Sequence, residues 1–358
     1  MIGCIPCKRC AVNGAVVPQI EIDSPVPIFG GNGAPQNVGW SRQANFVYEP
    51  LLAWSPRRRF SESDRYIVFN PTHSVIFEIR DDGYLGHMGV SVAYIKEKKR
   101  KTQMFQTLLP LGSYEMPQGS QSGATRYRRN NKVLDFVPME GGARIIKVDI
   151  PRFSLNRTMR GELVLTEPDA AESLVCSRPW RNKRNAFRYS RCSPWFTAEG
   201  VIQLGTSEIV FSQGSAWGIF EWSRGIRPSA DIRYWASACG LSGGRRVAFS
   251  VGHCSADSSA ATENAFFVDG RLHKLDQVTF HIPPADWLSP WRFTSNDNRL
   301  EMTFAPQQER TDRSRFFFHA VKRRQVYGLF SGKAILDDGS EVEFKDIAGF
   351  AERCKMRH

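Results

Sequence analysis

The chain predicts an all-β protein, and three observations carry that expectation. Apolar and polar residues alternate with a period of two over short segments. Gly- and Asp-marked turns separate those segments at spacings of roughly 8–12 residues. No segment carries an apolar stripe of helical period over several turns. Residues 1–20 read as an N-terminal tail, and 21–65 are rich in Pro, Gly and Asn without strong periodicity. From Tyr66 onward strand follows strand. Val75-Ile76-Phe77-Glu78-Ile79 and Gly89 to Ile95 flank a turn at Asp81-Asp82-Gly83. Arg144 to Ile150 and Gly161 to Thr166 follow a turn at Gly141-Gly142. Leu300, Met302 and Phe304 alternate with Arg299, Glu301 and Thr303, the mark of a half-buried strand. Asp337-Asp338-Gly339 then splits Gly328 to Leu336 from Glu341 to Phe344 as a hairpin. Asp346 to Met356 fits either a short helix or a closing strand.

Such strands must hide their edges by closing into barrels or stacking as sheets. Two successive β units fit the length, the first at 21–210 and the second at 211–358. The break falls near 205–216, where Gly205-Thr206 and Ser212-Gln213-Gly214-Ser215 bracket Glu208 to Phe211.

At 41% hydrophobic and 23% charged, the composition is that of a soluble globular protein. No apolar run approaches the roughly 18 residues that span a bilayer. The start, MIGCIPCKRCAVNG, lacks the apolar core of a secretory signal, so a cytoplasmic location is expected. The net charge of +12 invites a nucleic-acid partner. The basic residues are scattered, however, and the two clearest runs, Lys96 to Lys101 and Arg126 to Lys132, sit beside turns. No specific nucleic-acid partner is expected; weak contact with an anionic membrane surface stays allowed, and oligomeric state is open. Cys4, Cys7 and Cys10 form CxxCxxC without a fourth ligand at zinc-ribbon spacing, so no metal is expected, with a metal-binding tail as the alternative. Cys176, Cys192, Cys239, Cys254 and Cys354 fall in strand-like segments and are expected as small apolar thiols without disulfides.

The densest set of unusual residues runs from Gly214 to Leu275. Trp217, Glu221, Trp222 and Arg224 crowd one short segment; Tyr234 and Trp235, Glu263 and Asn264, and His273 follow. Wide rings beside a few convergent polar groups suit a small-molecule pocket. We expect Trp217, Glu221, Trp222, Arg224, Tyr234 and Trp235 to meet at the junction of the two units or at the mouth of the second. Glu221 has two readings. It is either a general acid held protonated by apolar surroundings, or the partner of Arg224 or another arginine locking the junction. The tryptophans read as ligand platforms or as packing, Glu263 and Asn264 as cavity lining or hairpin hydrogen bonding, and His273 as a base or a structural histidine. No phosphate loop, nucleophile elbow or metalloprotease signature appears, and no cofactor is expected.

These blocks, with others in order along the chain, resemble the family catalogued as domain of unknown function 2804. The likeness begins at Pro25-Val26-Pro27-Ile28, Gly33 and Val38-Gly39-Trp40-Ser41-Arg42. It continues through Glu172-Ser173-Leu174, Pro179-Trp180, Phe187-Arg188-Tyr189 and Ala198-Glu199-Gly200. Glu221-Trp222-Ser223-Arg224-Gly225 is similar to a family block that reads Asp-Trp-Gly-Arg-Gly, with a carboxylate one methylene longer here. Tyr234-Trp235, Thr262-Glu263-Asn264, Leu272-His273-Lys274-Leu275 and Pro290-Trp291 complete it. The Trp217-to-Trp222 block, Trp235 and the turn at Asp269-Gly270-Arg271 also resemble carotenoid hydratases (hydroxyneurosporene synthases) and related cyclases. That resemblance implies two tandem lipocalin-like (calycin) antiparallel β-barrels or half-barrels. The expected function is binding of an apolar small molecule, a lipid or isoprenoid. One alternative is cofactor-free hydration, isomerisation or cyclisation with Glu221 as acid; another is a structural or interaction protein.

Overall fold

The structure, a computed structural model, describes residues 19–357 apart from 54–58, 109, 111–113, 155, 182 and 317–318. Cys4, Cys7 and Cys10 lie outside the described residues. Short strands β1 (Val26–Pro27), β2 (Gly39–Ser41) and β3 (Phe46–Val47) lead in. Then come β4 (Phe60–Phe69), β5 (His73–Asp81), β6 (Leu85–Tyr94) and β7 (Lys99–Leu108). Next are β8 (Thr125–Arg129), β9 (Lys132–Pro138), β10 (Arg144–Ser154), β11 (Arg157–Thr166) and β12 (Leu174–Trp180). The first half ends with β13 (Lys183–Leu204), β14 (Ser207–Phe211) and β15 (Trp217–Ile226). The second half holds β16 (Ala230–Ser242), β17 (Arg245–His253), β18 (Ala265–Val268), β19 (Arg271–Lys274) and β20 (Val278–His281). It closes with β21 (Trp291–Ser295), β22 (Leu300–Phe316), β23 (His319–Ile335) and β24 (Glu341–Arg357). Among the described residues there is no α-helix, and no helix long and apolar enough to cross a membrane.

The strands form two curled antiparallel half-barrels. The first runs β7-β6-β5-β4-β15-β13-β11-β10-β9-β8, with β12, β14 and β2 attached through β13 and β12. The second runs β19-β18-β17-β16-β24-β23-β22-β21-β20. The Asp346–Met356 stretch is strand throughout, within β24 between β16 and β23. The sheets divide the chain between Ile226 and Ala230, so Trp217–Ile226, expected at the head of the second unit, hydrogen-bonds inside the first. Cys254 follows the end of β17 rather than lying in a strand, and the five described cysteines are free thiols.

β13 holds the first sheet together by serving two neighbours on each side. Its first part pairs with β12 and β15, its last part with β11 and β14. The switch falls at a register break between Ser193 and Phe196, where Pro194 has no N–H to give a ladder. Gly225, which ends the Glu221–Gly225 block, lies against β13 so closely that a Cβ there would sit 2.2 Å from the Phe187 carbonyl oxygen. Only glycine permits that approach.

Period-two alternation sorts the side chains into three cores rather than two. On β15, Phe220 and Trp222 join the first half's core, while Trp217 and Ile219 point the other way. On β16, Tyr234 and Ala236 join the second half's core, while Trp235 and Cys239 point the other way. The outward set forms a shared layer with Ile67, Phe69, Trp195, Phe267, Tyr327 and Phe350. Each half thus buries part of its apolar surface only against the other. Differential scanning calorimetry should therefore show one transition, with calorimetric and van't Hoff enthalpies in agreement. Two separable transitions would mean that the shared layer does not couple the halves.

Candidate functional site

The shared layer is apolar at one end and ionic at the other. At the ionic end β4, β5, β12, β13 and β15 present Arg65, Glu78, Arg178, Arg188 and Glu221. The second half presents Arg233 on β16, Glu263 just before β18, Arg323 on β23 and Glu352 on β24. Alternation explains the placement: Arg65 lies between Asp64 and Tyr66, and Glu352 between Ala351 and Arg353, whose side chains serve their own halves. Arg65 grips Glu352 with both terminal nitrogens, at 3.0 and 2.9 Å. Its Nη1 is also 3.6 Å from Glu221. Glu221 accepts from Arg188 Nη2 at 3.2 Å and from Arg233 Nη1. Glu263 takes Arg178 at 2.7 Å and Arg188 Nε at 2.8 Å, and lies 3.5 Å from Arg233 Nε. Arg323 bonds Glu78 at 3.1 Å. The result is a continuous chain of alternating charges across the junction. Trp235 is packed within it, with the Arg233 and Arg65 guanidinium carbons 4.7 and 5.5 Å from its ring centre.

The arginines hold three of these carboxylates, Glu78, Glu263 and Glu352, ionised. Burial pushes the Glu263 carboxyl up, but Arg188, Arg178 and Arg233 bring it well below the ordinary carboxylate range. Burial likewise opposes ionisation of Glu352, yet Arg65 and Arg323 hold it down to about 2. Glu78 is lowered by Arg323 and Arg80 against the same cost of burial. At Glu221 guanidinium groups approach from both halves. The cavity beside it measures about 80 Å³, room for a few waters.

A larger cleft of about 510 Å³ opens beyond Glu78 and Arg323. Its floor is the face of β5, β6 and β7 that points away from the first core. Cross-strand register lines up Ile76, Ser91 and Thr102 in one row, and Glu78, Gly89 and Met104 in the next. Gly89 leaves a gap in that row: a Cβ built there meets only the Gln103 carbonyl oxygen, at 3.8 Å. The opposite wall is β22 and β23, between Arg310 and Arg315 and from Val321 to Arg323. The edges of the two sheets are tied across it by Arg100 to Asp312 at 2.5 Å and Gln106 to Ser314 at 3.1 Å.

The residues singled out in the sequence scatter over several environments. Glu221, Trp235 and Glu263 meet at the junction, and Trp217 lies at its apolar end. Trp222 and Arg224 face the first half-barrel instead. Arg224 pairs with Asp64 at 2.7 Å and lies 4.2 Å over the Trp222 ring, so it is not the partner of Glu221. Tyr234 faces the second half-barrel, stacked on His253 at 4.8 Å. Neighbours in a strand point to opposite faces, so density along the chain did not become density in space. Asn264 ties backbone to backbone, accepting from Gly252 N and donating to Asp276 O. His273 accepts the Asp337 N–H at the hairpin turn. Lys274 donates to Thr262 Oγ1, Asn264 O and Leu275 O. Sequence reasoning missed Arg65, Glu78, Arg178, Arg188, Arg233, Arg323 and Glu352. One signal was present: Glu78 sits in Val-Ile-Phe-Glu-Ile, a strand apolar on both faces, where a charge requires a partner. Among the described residues, no three His, Cys, Asp or Glu side chains gather as a metal site.

The chain belongs to the family described as domain of unknown function 2804, which matches residues 19–358. No curated protein matches it. Among solved structures it is similar to kievitone hydratase from Nectria haematococca, at 6% identity and a TM-score of 0.45, over 83% of this chain and 88% of that one. A candidate AttH from Nitrosomonas europaea is similar at 13% identity and a TM-score of 0.45, over 83% and 92%.

The ionic layer yields a stability prediction. Glu352→Gln removes the charge that Arg65 grips and should cost about 3–5 kcal/mol in urea unfolding, the usual loss when a buried pair is broken. Acid should act in the same direction. Glu78, Glu263 and Glu352 are depressed in the folded protein, so the unfolded chain takes up their protons first. Stability should hold from pH 7 to about 5 and fall between about pH 4.5 and 2. The urea midpoint against pH reads this directly; a flat profile through pH 3 would contradict it.

Proposed function

We propose that the protein binds a small molecule with an apolar body in the cleft between its half-barrels. The observation that carries this reading is the hollow at Gly89, about 510 Å³ and bordered by Ile76, Met104 and Val321. That volume is within the roughly 300–1,000 Å³ of ligand pockets. The half-barrel interiors are less suited, because Phe77, Phe136, Phe220 and Trp222 fill one while Phe249, Phe293, Phe304 and Phe330 fill the other. Catalysis of hydration or cyclisation with Glu221 as acid has less support, because that carboxylate is bound by arginines from both halves. Its geometry favours the structural reading, in which Glu221 anchors the junction. A cytoplasmic setting is consistent with five described cysteines kept as free thiols.

Gly89→Phe is the direct test, because the side chain fills the hollow from a strand position that tolerates it. Binding of Nile red, an uncharged apolar dye, should weaken at least about tenfold in the variant, or about 1.4 kcal/mol. The melting temperature should change little. Mass spectrometry of solvent extracts should find an apolar molecule on the wild-type protein and not on Gly89→Phe. Equal dye binding by both proteins would overturn the assignment.

A further inference from the structure

We propose that the cleft takes an amphiphile whose head is an oxyanion, specifically a phosphomonoester, held by the arginines of its polar end. This rests on the cleft being the binding site and adds the chemistry of the head. Arg80, Arg100, Arg310, Arg313, Arg315 and Arg323 border the cleft, against only Glu78 and Asp312 among its carboxylates. Among the described residues no lysine borders it, and the planar guanidinium fork is the group that fits an oxyanion with two parallel hydrogen bonds. The two carboxylates are already engaged: Glu78 with Arg323, and Asp312 with both Arg100 and Arg310. Arg313 and Arg315 have no acidic partner among the described residues. The excess of positive charge suits a doubly charged head better than a single carboxylate.

A second observation points to a missing acceptor. Arg310 is only 6% exposed, yet its Nη1 has no hydrogen-bond partner among the described residues. The Nε of Arg323, by contrast, is turned toward Glu352 at the junction, 3.9 Å away. A buried guanidinium N–H without an acceptor is costly, and an oxyanion entering the cleft beside Arg310 would satisfy it. The arrangement sets arginines of β22 and β23 beside the hollow at Gly89, whose row runs from Glu78, held by Arg323, to the apolar Met104. A ligand with one acidic head and one apolar body matches both.

The test compares dodecyl phosphate, dodecanol and inorganic phosphate as displacers of Nile red and as calorimetric titrants of the full chain. Dodecyl phosphate should bind at least about tenfold more tightly than dodecanol, and its affinity should fall with added salt. Arg310→Gln should erase most of that difference while Nile red binding persists, which shows that the cleft is intact. Arg100→Gln, at an exposed position, should act in the same direction without disturbing a buried group. Equal affinity for dodecyl phosphate and dodecanol would overturn the head-group assignment and leave the apolar cleft standing. Inorganic phosphate binding as tightly as dodecyl phosphate would make the cleft an ion site and overturn both. So would failure of all three compounds and of Nile red.

Discussion

The fold depends on a reciprocal exchange of buried charge between its halves. The first half contributes arginines that need carboxylates from the second: Arg65 takes Glu352, and Arg178 and Arg188 take Glu263. The second half contributes arginines that need carboxylates from the first: Arg233 takes Glu221, and Arg323 takes Glu78. Contacts within a half exist, such as Arg188 with Glu221 and Arg323 near Glu352, but each of the four carboxylates also takes an arginine from the other half. Removing a buried charge from water costs several kcal/mol per ion, and only a well-placed partner offsets it.

That exchange does more for geometry than for net stability. A buried ion pair is often no better than a well-packed apolar substitute, whereas a mispaired one is strongly unfavourable. The apolar end of the layer, with Trp195, Trp217, Phe267 and Phe350, supplies non-directional attraction. The ionic end fixes which strand lies opposite which, because a slip between the sheets would strand several guanidinium groups together. The cleft follows from this. With β4 and β24 pinned at Arg65 and Glu352, the outlying strands β5–β7 and β22–β23 separate beside their edges, and Gly89 leaves the space between them unfilled.

Much of the fold was legible in the sequence. Period-two alternation, turns such as Asp337-Asp338-Gly339 and the lack of helical stripes expect two antiparallel units, and the structure has two half-barrels. The position of β15 was not legible, because its membership depends on pairing with β4 and β13, both remote in sequence. The candidate site was read in part. Crowding of Trp217, Glu221, Trp222 and Arg224 drew attention to the right strand, but a strand sends alternate side chains to opposite faces. Glu221 therefore reached the junction while Trp222 and Arg224 did not. The arginine partners were illegible because they come from several elements separated by long stretches of chain. Nothing local distinguishes Arg65 or Arg323 from an arginine on a solvated strand.

The order in which the partners occur along the chain gives this interface a history during synthesis. Arg65, Glu78, Arg178, Arg188 and Glu221 all leave the ribosome before any residue of the second sheet. At about 5–20 residues per second, the stretch from Ile226 to Glu352 takes on the order of 6–25 s to make. Throughout that interval the first half-barrel has its own core but shows Trp195, Trp217 and charges that lack their partners from the second half, among them Arg65 and Arg178. A nascent chain in that condition is a natural client for ribosome-associated chaperones, and a pause or truncation between Ile226 and Glu352 would leave it there.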